Sequence, residues 1–83
     1  MKLLYFAWLR EKIGLSEEDV MLPENLRSVA DLVEWLRGRG PGYQAAFAQT
    51  KLVRCAIDQD FAQADSSIAG ATEIAFFPPV TGG

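Results

Sequence analysis

The apolar positions of this chain fall into short blocks, and their spacing changes from block to block. Leu3 to Leu9 is an almost unbroken apolar run, rich in aromatic residues, that stops at Arg10-Glu11-Lys12. Such a run predicts a strand buried on both faces. Gly14 marks a turn, and Glu18 to Leu22 predicts a second short strand ending at Pro23, which cannot donate to a ladder. On this reading residues 10–17 form the loop of a hairpin. Val29, Leu32, Val33 and Leu36 then follow the i, i+3, i+4, i+7 spacing of one helical stripe. Ser28 is a good N-cap, and Asp31 completes a capping box with the shorter acid. Either Gly38 or Gly40 ends the helix, and Pro41 blocks its continuation.

Beyond Pro41, Tyr43 to Gln49 predicts a short helical turn. Leu52 to Ile57 predicts a strand with Val53, Cys55 and Ile57 on one side, and Asp58-Gln59-Asp60 a turn. Phe61 to Ala71 is polar and Ala-rich, with little regular signal. Glu73 to Phe77 alternates Ile74 and Phe76 against Ala75 and Phe77, which predicts a final strand. The order strand, strand, helix, strand, irregular stretch, strand predicts an α+β roll, a mixed sheet with one main helix packed on it. That order suits a β-grasp, although periodicity alone leaves half of a ferredoxin-like fold open.

Composition narrows the chemistry. Eighty-three residues make one domain, and with a single cysteine, Cys55, no internal disulfide can brace it. The absence of histidine rules out Ser-His-Asp and Cys-His catalysis and makes a poor metal set. The net charge is −3 and the basic residues are scattered, so nucleic acid is not an expected partner. The apolar run near the N-terminus is too short for a membrane span and lacks a signal-peptide cleavage site. Together with the unpaired cysteine this predicts a cytoplasmic chain that binds no membrane. Counted with Gly and without Tyr, the apolar share is about 55%, above the roughly 45–50% of ordinary domains, which fits either an apolar binding surface or simply an Ala-rich core.

The informative segment is the end, Phe76-Phe77-Pro78-Pro79-Val80-Thr81-Gly82-Gly83. The Pro pair cannot extend a central strand and favours an extended conformation, so a folded unit over residues 1–77 should give way to a stiff tail over residues 78–83. Those tail residues reach at most roughly 20 Å, at about 3.3 Å each, far enough to enter another protein's active site. Gly82 and Gly83 carry no side chains, so the tip can thread a narrow channel and let a nucleotide approach the terminal carbonyl. A frayed end is the plain alternative. Two terminal glycines arise by chance with a frequency of only roughly 0.5%, and the Pro pair upstream argues further against accident. A carboxylate is a poor electrophile, and the chain has no phosphate-binding loop, so another protein must activate it with ATP.

Glu73 to Gly83 resembles the C-terminal signature of the small subunit of molybdopterin synthase. Leu3 to Glu11 resembles that family's first strand, and Val29-Ala30-Asp31-Leu32 its helix start. Two short stretches depart from the family's usual sequence: Ala69 to Glu73, where an acidic turn is common, and Asp58, where Asn is common. The resemblance implies a ubiquitin-like β-grasp that is not an enzyme by itself and binds no cofactor. It implies adenylation of Gly83 by an activating enzyme that uses ATP, and then, with a sulfurtransferase, a 1-thioglycine thiocarboxylate at Gly83. Pro78, Pro79, Val80, Thr81 and Gly82 would carry that group into the large catalytic subunit, in a heterotetramer of two small and two large subunits. There the sulfur would pass to cyclic pyranopterin monophosphate to build molybdopterin. A carrier for thiamine or another thiolation pathway, and a protein modifier joined to lysines, share the diglycine chemistry and remain the rival readings.

Other residues have plainer alternatives. Cys55, alternating with Val53 and Ile57, reads as a core residue rather than a sulfur relay. Phe77, opposite Ile74 and Phe76, is expected to face outward and dock on the large subunit, and Phe61 is a candidate to join it. Glu17-Glu18-Asp19 reads as a solvated loop end, and Arg10 and Arg39 as isolated surface charges.

Overall fold

The structure, a computed structural model, describes residues 1–79. Its order is β1 (Lys2–Tyr5), α1 (Trp8–Ile13), β2 (Glu17–Asp19), α2 (Val29–Arg37), α3 (Pro41–Ala46), β3 (Arg54–Ile57), β4 (Asp60–Ala62) and β5 (Glu73–Phe77), with a 3-10 turn at Thr50–Leu52. The five strands form one mixed sheet in the order β2-β1-β5-β3-β4. β5 lies in the middle, parallel to β1 and antiparallel to β3. This is the β-grasp arrangement expected from the sequence.

The main helix forms where its stripe predicts. Ser28 Oγ accepts from the Asp31 N–H (3.2 Å), and the Asp31 carboxylate accepts from the backbone N–H of Arg27 and Ser28. Those N–H donors hold the Asp31 carboxyl below its ordinary value. Val29, Leu32 and Leu36 are buried against Leu3, Tyr5, Ile74 and Phe76 in one core.

The second strand is Glu17–Asp19 rather than Glu18 to Leu22, and three further expectations need correction. The run from Leu3 to Leu9 is not one strand buried on both faces. β1 ends at Tyr5, its burial alternates, and Ala7, with φ 55°, turns the chain into α1. The residues assigned to a hairpin loop are therefore half helix. A short apolar run does not distinguish a strand from a strand followed by a helix, because Leu9 is buried either way. Second, Pro41 does not merely stop α2. It occupies the first turn of α3, where a missing N–H costs nothing. α3 packs closely on α1: a Cβ at Gly42 would lie 2.5 Å from the Lys12 carbonyl oxygen, so only glycine fits.

Third, the stretch from Phe61 is not irregular throughout, because it begins with β4. Asp58 and Gln59 both take positive φ (48° and 75°), forming a two-residue hairpin turn that pairs Ile57 with Asp60 and Ala56 with Phe61. Asp58 Oδ1 then accepts from the Thr72 N–H (3.0 Å), the Thr72 hydroxyl (2.7 Å) and the Glu73 N–H (2.9 Å). This carboxylate ties the β3–β4 turn to the start of β5, and its donors hold its pKa down.

Candidate functional site

The tail leaves the sheet from its central strand. Tyr5 pairs with Phe76 in the parallel ladder, and the Phe6 N–H donates to the Phe76 carbonyl (3.1 Å), extending the pairing to the end of β5. On the other side Arg54 pairs with Phe77. Pro78-Pro79 thus follows a strand end held from both sides, as a stiff projecting segment requires. Val80, Thr81, Gly82 and Gly83 lie outside the described residues.

The two faces of β5 differ as the alternation predicts. Ile74 and Phe76 are fully buried, and Phe76 is packed by Tyr5 (ring centroids 6.2 Å) and Phe47 (5.1 Å). Phe77 lies on the opposite face and is half-buried. Phe61, 84% exposed, meets it edge to face with ring centroids 6.0 Å apart. The structure therefore brings together two residues sixteen positions apart in the chain, across β3, whose Ala56 pairs with Phe61 on one side and with Ala75 on the other. Sequence reasoning missed Phe6, 48% exposed, which alternation places on the same side as Leu4. Once β1 is recognised as a one-sided strand, the alternation of Leu3 and Tyr5 with Leu4 and Phe6 is the signal.

Cys55 occupies the opposite face from Phe77. It is 6% exposed, pairs between Phe76 and Ala62, and its thiol donates weakly to the Ala62 carbonyl (3.7 Å). Burial pushes its pKa up, so little thiolate exists near neutral pH. Both facts suit a core residue and not a sulfur relay. Cys55→Ala is expected to cost about 1 kcal/mol of stability, as a small core truncation does. Paired denaturation curves check this, and an unchanged unfolding transition would reverse the core assignment.

Glu18 is not a solvated loop end. Its carboxylate accepts from the Tyr5 and Tyr43 hydroxyls (both 2.7 Å) and from Arg39 (3.0 Å), whose guanidinium also lies over the Trp35 and Tyr43 rings. The Glu18 side chain is 12% exposed. Burial by itself would raise the Glu18 carboxyl, but the donors from Tyr43, Tyr5 and Arg39 outweigh it and hold it below the ordinary range. Burial and this carboxylate push both phenols up. Arg39 is accordingly a bound charge of the fold. Because the folded pKa of Glu18 is depressed, its contribution is complete above the unfolded value of about 4.3 and is lost as pH falls through the folded value. Glu18→Gln is expected to lower stability at pH 7 by about 1–3 kcal/mol, the cost of leaving a buried donor unpaired. In thermal melts from pH 7 downward its gap from the natural protein should close on acidification. A gap independent of pH would refute this role.

Among the described residues no three His, Cys, Asp or Glu side chains converge as a metal site, and no helix is long and apolar enough to cross a membrane. What the described residues show is two aromatic side chains beside the strand end that leads into Pro78-Pro79. The ThiS family profile matches residues 3–83. The chain belongs to that family.

Within it, a molybdopterin synthase sulfur carrier subunit of Haemophilus influenzae is 35% identical over 83 residues, covering 100% of this chain and 99% of the relative. A solved structure described as molybdopterin converting factor subunit 1, from Pyrococcus furiosus, is 28% identical with a TM-score of 0.75 and covers 95% of each chain. SAMP1 of Haloferax volcanii matches with a TM-score of 0.71, covering 99% of this chain and 97% of its own. At 23% identity the SAMP1 likeness speaks for the fold alone. The family expected from the tail and the first strand is thus the family found, and its ubiquitin-like fold is the one observed.

Proposed function

We propose that this ThiS-family chain is the sulfur carrier of a molybdopterin synthase, and that Gly83 is its working group. An activating enzyme transfers adenylate from ATP to the Gly83 carboxylate. A sulfur nucleophile supplied by a sulfurtransferase displaces the adenylate, leaving a thiocarboxylate. Pro78 to Gly82 carry this group into the large catalytic subunit, where it donates sulfur to cyclic pyranopterin monophosphate. Catalytic acid-base groups belong to the large subunit. Two transfers complete a dithiolene, which suits an assembly of two carriers on two large subunits.

The observation that carries this reading is the placement of the tail. Pro78-Pro79 follows the central strand beside exposed Phe61 and half-buried Phe77, so a partner docked on that pair would stand next to the start of the tail. The aromatic pair gives a partner something to hold while the tail is threaded. Ordering two glycines costs roughly 1–2 kcal/mol of backbone entropy each, and docking at the root offsets that loss.

Intact-mass spectrometry on protein purified from its own cells tests the chemistry. Replacing one terminal oxygen by sulfur adds about 16 Da, and the mass should revert after incubation with the large subunit and the pterin precursor. Protein found only as conjugates to lysine would show that the chain is a modifier instead.

A further inference from the structure

The Phe61–Phe77 face does not end at the sheet. A depression of ≈ 460 Å³ beside these two rings is also lined by Arg54, Cys55, Ala62 and Gln63. The same four residues line a second cleft, of ≈ 480 Å³, between α2 and the β3–β4 hairpin. The two therefore adjoin through these residues, one on each face of the sheet, at the end from which the tail departs. The walls of the second cleft are apolar: Val29 and Val33 of α2 face Val53, with Phe47 and Phe76 also lining it. Its lip, with Ala30, Glu34, Thr50 and Gln63, is exposed.

Arg54 stands where the two depressions meet. One of its Nη atoms donates to the Lys51 carbonyl (2.8 Å), which leaves most of the donors of the guanidinium unused by this bond. Among the described residues it forms no salt bridge, whereas Lys2, Arg37 and Arg39 do. The junction thus offers an apolar recess with a fixed cation at its mouth, in a chain whose net charge is −3.

We propose that the large subunit that receives the tail also inserts an apolar side chain into the cleft under α2, with a neighbouring carboxylate set against Arg54. This rests on the docking reading above and adds a second anchor to it. A protein segment is the favoured occupant because the cleft shares Arg54, Cys55, Ala62 and Gln63 with the depression beside Phe61 and Phe77, where the large subunit docks on the reading above. Interface energy concentrates where such a side chain is desolvated in a pocket, and the charge pair sets orientation and encounter rate.

The test is titration of the full chain with the large subunit of molybdopterin synthase, using Phe77→Ala as the reference. Ala30→Trp, which fills the mouth of the cleft, and Arg54→Glu should each weaken binding about tenfold or more, while Arg54→Lys stays within about threefold. If Phe77→Ala weakens binding and both cleft variants bind normally, the second anchor is refuted and the docking reading stands. If none of the three weakens binding, both fall. Should a cleft variant not fold, methyl NMR of the natural chain decides. The Val29, Val33 and Val53 methyl signals should shift on adding the large subunit, and unmoved signals overturn the proposal.

Discussion

Removing Gly83, or adding one residue after it, is expected to leave the unfolding transition where it is and to abolish thiocarboxylate formation. The folded unit does not depend on the last residue: the core is closed by Ile74 and Phe76, and the tail departs after Phe77. On the function proposed above the chemistry would depend on it, because the reacting carbonyl would have to arrive at a fixed distance from the strand end that holds it. One residue more or less moves that carbonyl by about 3.3 Å. Misplacements near 1 Å already cost enzymes about a hundredfold, so activity in either variant should fall by at least that factor. The assay is intact mass after incubation with the activating enzyme, ATP and a sulfur source, alongside thermal melts. A shortened chain that acquires sulfur at the natural rate would refute the assignment of Gly83.

The sequence exposed some parts of this arrangement and hid others for definite physical reasons. α2 was legible because a helical stripe, a capping box and flanking glycines all agree. β5 was legible because it carries a large aromatic on each face, and the burial of Phe76 against the partial exposure of Phe77 follows from alternation alone. β4 was hidden because it is three residues long and its central side chain, Phe61, is exposed, leaving no buried side for periodicity to reveal. α1 was hidden because the sharp backbone turn falls at Ala7, a residue that carries no turn signal. The role of Glu18 depended on Tyr43 and Arg39, more than twenty positions away, and no local pattern reports that meeting. At the site itself, Phe77 could be placed by its own strand, whereas meeting Phe61 required the strand pairing.

The second large effect separates the two adjacent phenylalanines. Phe76→Ala is expected to destabilise the fold by about 3–5 kcal/mol, the usual cost of deleting a buried aromatic and leaving its cavity. The ring is fully buried and packs on both Tyr5 and Phe47, so the site has little freedom to collapse. Against a total stability of about 5–15 kcal/mol, this brings a small domain close to unfolding. Phe77→Ala should shift the melt little, because its ring lies on the face of β5 away from the core, against the exposed Phe61. It should weaken binding to the large subunit by about 2 kcal/mol or more, roughly thirtyfold. Paired denaturation curves and paired titrations give the answer. If Phe77→Ala unfolds the protein and Phe76→Ala only weakens binding, the faces of β5 are inverted.

The position of β5 also governs how the chain can fold. The strand that supports the tail is the last to be synthesised, yet it lies between β1 and β3 and pairs Lys2 with Glu73 and Tyr5 with Phe76. Until it is available, β1 and β3 have no shared neighbour and the sheet exists only as separate hairpins. Closing a parallel pair across about seventy residues of chain is a non-local event, and such contacts slow folding. Nascent chains on the ribosome should therefore stay sensitive to protease until the segment through Phe77 has emerged, and then become resistant in one step. Acceptance of the tail by a partner that also grips Phe77 would then report that the strand carrying it has joined the sheet.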